Sequence, residues 1–265
     1  MLRNEGTTAS NIASSYTTLV SWSTFCINPL STKCSEKESL TLEVNGNGEC
    51  GKILAVVNSN LEVKGYIENT NVKVEHNGII KKDKIGNCGY IKVIKDMKLK
   101  EPYVGITTIQ TGDISRDITY YYNCSEQIMS YLTIEEYLDD EKNVKRMCGI
   151  FVQVMPDVKD ETIKYLKDNI YKFELFKEFI SNGNTLEDII IYIFKRENLK
   201  FNDKRRCVYK CDCSRHKMTK GLISLGKKEL LDMINQDNQA NLECHFCGKN
   251  YMFKNEDLEN IIRDM

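Results

Sequence analysis

Four cysteines near the carboxyl end constrain this chain more than any other feature. Cys211 and Cys213 stand in "CVYKCDCSRHK" (207–217), and Cys244 and Cys247 in "CHFCGK" (244–249). Two close pairs 30 residues apart can fold four sulfurs around one tetrahedral point, the geometry that suits zinc. The C-x-x-C-G stretch, with a strand pattern on each side, reads as a knuckle whose backbone amides can point at sulfur. C-x-C is the less common half of a zinc site.

The unit around these pairs has about 55 residues, a size that often needs a staple. Its candidate core is Leu222, Ile223, Leu225, Leu230, Leu231, Ile234, Phe246, Tyr251, Phe253, Leu258 and Ile261. A structural zinc site contributes ~10–16 kcal/mol of apparent binding energy, which becomes folding energy. Metal-bound thiolates flanked by Lys210, Arg215 and Lys217 are also open to oxidation by peroxide or hypochlorous acid. A disulfide within C-x-C closes a small, strained ring, and strained disulfides are the labile kind. The spacing therefore leaves two readings open, a permanent structural zinc unit and a thiol switch. His216 and His245 adjoin the ligands but are not needed to fill a Cys₄ shell, and Cys207, which could serve as a spare or resolving thiol, reads as incidental.

Upstream, the period is that of strands. "SLTLEV" (39–44), "KILAVVN" (52–58), "VKGYIEN" (63–69), "GYIKVIKDM" (89–97), "EPYVGITTIQTGD" (101–113) and "GIFVQVMP" (149–156) read as strands. Turns are expected at "NGNG" (45–48) and at Asn77-Gly78, and "DISRDITYYYNCSEQ" (113–127) reads as helical. After Pro156 the apolar period becomes helical, with Ile163, Leu166, Ile170, Phe173 and Leu175 or Phe176 on one stripe. "NGN" (182–184) breaks it, and Thr185 caps a second helix over 186–196. "KRENLKFNDKRR" (195–206) reads as linker. In the last unit a helix is expected over 227–235, strands before Cys244 and over 250–253, and a final helix over 256–264 capped by Asn255. The class is α+β: a main α/β domain with antiparallel-rich sheets over 1–156, a helical linker over 157–206, and a small zinc-binding domain over 207–265.

Composition narrows the function classes. A net charge of −1 lacks the basic excess of a general nucleic-acid or anionic-membrane binder, and no apolar run reaches a membrane span. The Ser/Thr-rich amino terminus lacks the apolar centre of a signal peptide and reads as part of the domain itself. Eleven cysteines suit a reducing compartment, the cytoplasm. Cys26, Cys34, Cys50, Cys88, Cys124 and Cys148 lack ligand spacing and read as small buried hydrophobes. With three histidines, two of them beside the cysteine pairs, hydrolytic catalysis has little to work with, and the chain reads as a non-enzyme.

The stretch "CDCSRHKMTKGLISLGKKELLDMINQDNQANLECHFCGKNYMF" resembles the redox domain of the Hsp33 family of bacterial redox-regulated chaperones. "GYIKVIKDMKLKEPYVGITTIQTGDISRDITYYYNCSEQ" and "LTLEVNGNGECGKILAVVNSNLEVKGYIEN" resemble its main domain. The resemblance implies an ATP-independent holdase for unfolded or oxidatively damaged clients. It implies one zinc per chain in the reduced, inactive state, held by Cys211, Cys213, Cys244 and Cys247. It also implies oxidised disulfides Cys211–Cys213 and Cys244–Cys247, loss of zinc, unfolding of the linker, exposure of apolar surface and an active homodimer. The sequence departs from the family pattern at "GNGE" (46–49), "SEQIMS" (125–130) and His216, none of which removes a ligand. Two competing readings are a structural zinc module that binds nucleic acid and a thiol–disulfide enzyme using "CHFC". The first rests on the basic 195–217 stretch. The second lacks the strand-to-helix setting of such a motif.

Overall fold

Alternating apolar and polar residues build the first sheet in this computed structural model, which describes residues 38–69, 82–138, 144–195, 198–201 and 205–265. β1 (Ser39–Gly46) turns Leu40, Leu42 and Val44 inward, β2 (Lys52–Asn58) turns Ile53, Ala55 and Val57, and β3 (Glu62–Ile67) turns Val63 and Ile67. β4 (Gly89–Asp96) adds Ile91 and Val93, and β5 (Tyr103–Thr108) forms one edge. These five strands pair antiparallel, with Leu42 opposite Ala55 on one side and Val93 on the other. Inward residues line up across strands because the side-chain period is 2, so the register is set by the buried face.

The turn after β1 closes against the short helix α1 (Lys82–Ile85). Gly48 N–H donates to Ile85 O and Cys50 N–H to Lys84 O. A Cβ at Gly46 would stand 1.9 Å from Ile85 O, so glycine is required there by close approach.

Helix α2 (Ile114–Cys124) is capped by Asp113, whose carboxylate accepts from Arg116 N–H. It buries Ile114, Ile118, Tyr121 and Tyr122 in the same core. Asp117 is also buried. Its carboxylate accepts from the backbone N–H groups of Gln110, Thr111 and Gly112 and from Thr111 Oγ1, at 2.9–3.2 Å. A buried carboxylate holding three amides of one loop explains why "QTGDISRD" leads into the helix as a unit.

A second sheet of two strands, β6 (Ser130–Leu138) and β7 (Val144–Gln153), packs on α2 and supplies Leu132 and Ile134 to that core. Only the end of β7 is legible as a strand in the sequence. The single helical stripe expected after Pro156 is three elements: α3 (Asp160–Asn169), a 3₁₀ turn (Ile170–Leu175) and α4 (Phe176–Ser181). Asn169 turns its amide back to Tyr165 O, and the β-branched and aromatic residues that follow hold a helix less well. α5 (Leu186–Phe194) starts at Thr185 with a full capping box to Asp188. Leu166, Ile189 and Ile193 form a separate small cluster with Ile150. The two-residue strand β8 (Val208–Tyr209) then joins the first sheet, parallel to β3. Among the described residues no helix is long and apolar enough to cross a membrane.

The described residues form two compact units, the first ending at Tyr209 and the second running Lys210–Met265. The second contains α6 (Arg215–Leu225), α7 (Lys227–Asp237), β9 (Gln239–Glu243), β10 (Asn250–Lys254) and α8 (Asn255–Asp264). α6 is absent from the sequence reading. It is capped by Ser214, whose hydroxyl accepts from Lys217 N–H. Lys254, not Asn255, is the cap of α8, with its N–H donating to Asp257. Leu222, Leu230, Ala240, Cys244, Tyr251, Phe253, Leu258 and Ile261 form the core. Ile223, Leu225 and Leu231 lie on the surface instead, because α6 and α7 each bury only one residue, Leu222 and Leu230. The class is α+β, as the strand and helix periods imply. The turn expected at Asn77-Gly78 lies outside the described residues.

Candidate metal centre

The four cysteines reach one point from two loops. Cys211 and Cys213 lie on the extended segment before Ser214, so the α6 cap fixes where that segment ends. Cys244 follows β9, and Cys247 closes a tight turn in which the N–H groups of Cys247 and Gly248 both donate to Cys244 O. Gly248 has φ +70°, the left-handed conformation that lets the chain reverse into β10. Cys244 N–H bonds to Lys249 O across the turn.

All four sulfurs lie within 4.8 Å of one another, an arrangement that can hold a metal ion. The shortest separations run between the two loops, Cys213 to Cys247 at 3.4 Å and Cys211 to Cys244 at 3.6 Å. Four sulfurs at the ~2.3 Å bond length of tetrahedral zinc would stand about 3.8 Å apart, so the donor set fits zinc in both type and spacing. Cys244 is buried, Cys211 and Cys213 are half-buried, and Cys247 is exposed.

Hydrogen bonds to sulfur follow the knuckle geometry. The N–H of Cys213 donates to the Cys211 sulfur, and the N–H of Lys249 to that of Cys247. A further donor is not legible in the cysteine spacing: Tyr251 OH donates to Cys213 Sγ at 3.1 Å. The signal for it was the alternation in "NYMFK", which turns Tyr251 and Phe253 to the buried side of β10. As bare thiols, Cys211, Cys213 and Cys247 differ. Burial pushes Cys211 up to about 12 and raises Cys247, whereas the Tyr251 hydroxyl draws Cys213 down to about 7. The same contact, from the other side, raises the Tyr251 phenol to about 12. Protons or a cation are needed to neutralise such a cluster, and a divalent cation is what lets all four become thiolates.

The cations flanking the pairs do less for the thiols than the sequence suggests. Lys217 pairs with Asp212. Arg215 pairs with Asp257 at 2.8 Å, donates to Met252 O and stacks 4.2 Å from the Phe253 ring centroid. Of the scattered cysteines, Cys50 is buried as expected, but Cys88 and Cys124 are exposed, and Cys26 and Cys34 lie outside the described residues. Cys207 is not incidental to packing: it is partly buried against the core of the first sheet. A cleft of about 490 Å³ beside α2 and β6 is lined by Asp113, Arg116, Tyr131 and Ile170, and it contains no thiol.

A model of the Hsp33 protein family matches residues 4–254. The chain belongs to the Hsp33 family. The 33 kDa chaperonin of Ruminiclostridium cellulolyticum is 37% identical over 231 residues, covering 86% of this chain and 79% of the relative. That of Caldanaerobacter subterraneus subsp. tengcongensis is 38% identical over 232 residues, with the same coverage. Among solved structures, the crystal structure of the Hsp33 homologue of Thermotoga maritima superposes with a TM-score of 0.74 at 28% identity, covering 96% of this chain and 88% of that one. The Hsp33-family chain thus carries its cysteine cluster on a fold shared with a solved family member.

Proposed function

We propose that this protein is a redox-regulated, ATP-independent holdase that binds unfolded or oxidatively damaged proteins in the cytoplasm. The observation that carries this reading is the gathering of Cys211, Cys213, Cys244 and Cys247 within 4.8 Å in an Hsp33-family chain. Cys211, Cys213, Cys244 and Cys247 would hold one zinc ion per chain. When bound, zinc supplies the charge that keeps four thiolates together and so ties the 211–213 segment to the 244–247 turn.

The remaining chemistry belongs to the thiols. A thiolate attacks peroxide, takes one oxygen as sulfenic acid and expels hydroxide. The partner thiolate of the same pair then displaces hydroxide and closes the disulfide, Cys211–Cys213 or Cys244–Cys247. Each such bond removes two anionic ligands. The unit's core of eight buried residues is then left to stand alone, and a core that small does not hold about 55 residues folded. Residues 157–206 act in this reading as a linker that loosens with it, leaving 1–156 as the client-binding and dimer-forming domain and 207–265 as the switch. Newly exposed apolar surface binds non-native chains. The protein acts by binding rather than by turnover, and the active form is a homodimer.

The test follows zinc release and suppression of aggregation of a denatured client in one sample treated with peroxide. One zinc per chain leaving as thiols disappear, with holdase activity that rises in step and falls on reduction, is the expected result. Zinc that stays, or leaves with no gain in client binding, would make the unit a permanent structural module.

A further inference from the structure

The turn that starts β3 is built to receive an extended chain. Leu61 takes φ +58°, an uncommon conformation for a side chain of its kind, and it is buried. Its carbonyl faces outward and accepts from Val208 N–H at 3.0 Å. The Ser59 carbonyl accepts from Arg205 Nη2 at 3.2 Å. Glu62 and Val63 then pair in parallel with Val208 and Tyr209. Between these contacts Cys207 packs into the sheet core, where burial raises its thiol. The segment 205–209 therefore sits on this edge through the Arg205 and Cys207 side chains, the Val208 N–H and two strand-register pairs.

Two observations fit a replaceable occupant. It covers only the first two positions of β3. The Ser59 hydroxyl, more than nine-tenths buried in the same turn, makes no hydrogen bond among the described residues. A buried hydroxyl left without a partner is unspent recognition capacity. The segment ends at Tyr209, two positions before Cys211 in the chain, so the two are covalently coupled.

We propose that the Ser59–Val63 edge is a docking site for an extended, β-branched or aromatic-rich segment of a client chain, closed in the folded state by residues 205–209 as an internal mimic. The proposal rests on the holdase reading and specifies where the client is held. Recognition is by strand addition, in which backbone hydrogen bonds supply affinity without demanding one sequence, as a holdase requires.

The probe is a fluorescent peptide spanning Arg205–Lys210 with Cys207→Ser, compared with a twin N-methylated at the Val208 amide. The full-length protein is used reduced and zinc-loaded, and again after peroxide oxidation. The peptide is expected to bind the oxidised form, to compete with a denatured client, and to lose binding when N-methylated. Val208→Pro removes the N–H that Leu61 accepts. It should speed alkylation of Cys207, read by mass mapping, roughly five- to tenfold in the reduced protein, about what one backbone hydrogen bond is worth in a local opening. It should also let the peptide bind without oxidation. Ser59→Ala should leave Cys207 labelling and binding of this peptide unchanged, since that hydroxyl bonds nothing in the 205–209 segment, and should weaken capture of a denatured client about two- to fivefold. Equal binding of both peptides, or client capture untouched by either, overturns the proposal and leaves the holdase reading standing. An oxidised protein that captures no client at all overturns the reading itself.

Discussion

The sheet core around Leu42 and the small core around Leu230 are built from similar side chains, yet they are held together differently. The first gathers nineteen buried apolar residues, most of them from strands and α2, and the buried Asp117 carboxylate is satisfied by four donors. The second gathers eight, and one of them is Cys244. Among the described thiols of the first unit, Cys50 and Cys207 pack like small hydrophobes, and Cys88 and Cys124 sit at the surface. In the second, Cys211 and Cys213 pack against the core, so the chemistry of sulfur and the integrity of the fold are the same variable. On the proposed reading, a chain with both designs loses one half to oxidant and keeps the other.

The sharpest way to break that contrast is to remove the metal with a chelator, or a ligand by Cys244→Ser. Backbone amides of α6–α8 should lose exchange protection while those of β1–β4 keep it, a loss of ~10–16 kcal/mol of metal-linked folding energy confined to the second unit. Equal loss in both would abolish the distinction. Asp117→Ala strikes the first unit alone. Leaving three loop amides without their acceptor should cost about 3–5 kcal/mol in a urea titration, with zinc retention unchanged.

Matched cavities give a finer comparison. Leu42→Ala and Leu230→Ala should each cost about 2–5 kcal/mol, but only the second should hasten zinc loss to a chelator. A smaller effect is expected at Thr185, whose cap is worth about 1 kcal/mol. Thr185→Ala should fray α5 in amide exchange and touch neither core. The smallest is a pH effect. The Lys254 N–H, and Arg215 beside it, hold the Asp257 carboxyl below its usual range. The stabilisation it brings is therefore present above the ordinary carboxylate range near pH ~4 and is lost as pH falls through the lower folded value. Asp257→Asn should flatten that acid limb for the second unit only.

How much of this was legible varied with how local the cause is. β1 and β2 follow directly from alternation in "SLTLEV" and "KILAVVN", and the α5 start follows from Thr185 and Asp188. The cysteine cluster was legible because ligand spacing is itself a local rule. β6 and the first half of β7 were not, because "TIEEYLDDEKNVKRM" is dense in charge and its strands are defined by pairing with each other. α6 hid behind Gly221 and a single buried position, Leu222. β8 could not be read at all: two residues become a strand only because β3 waits for them far back in the chain. The Tyr251 hydroxyl bond to Cys213 joins residues 38 apart and depends on the same long-range folding.

That long reach of β8 has a consequence during synthesis. Arg205 and Ser59 are 146 residues apart, so the edge of β3 emerges from the ribosome well before the segment that closes it. At about 5–20 residues per second the wait is roughly 7–30 s. For that time every nascent copy carries the start of β3 without the segment that later pairs with it.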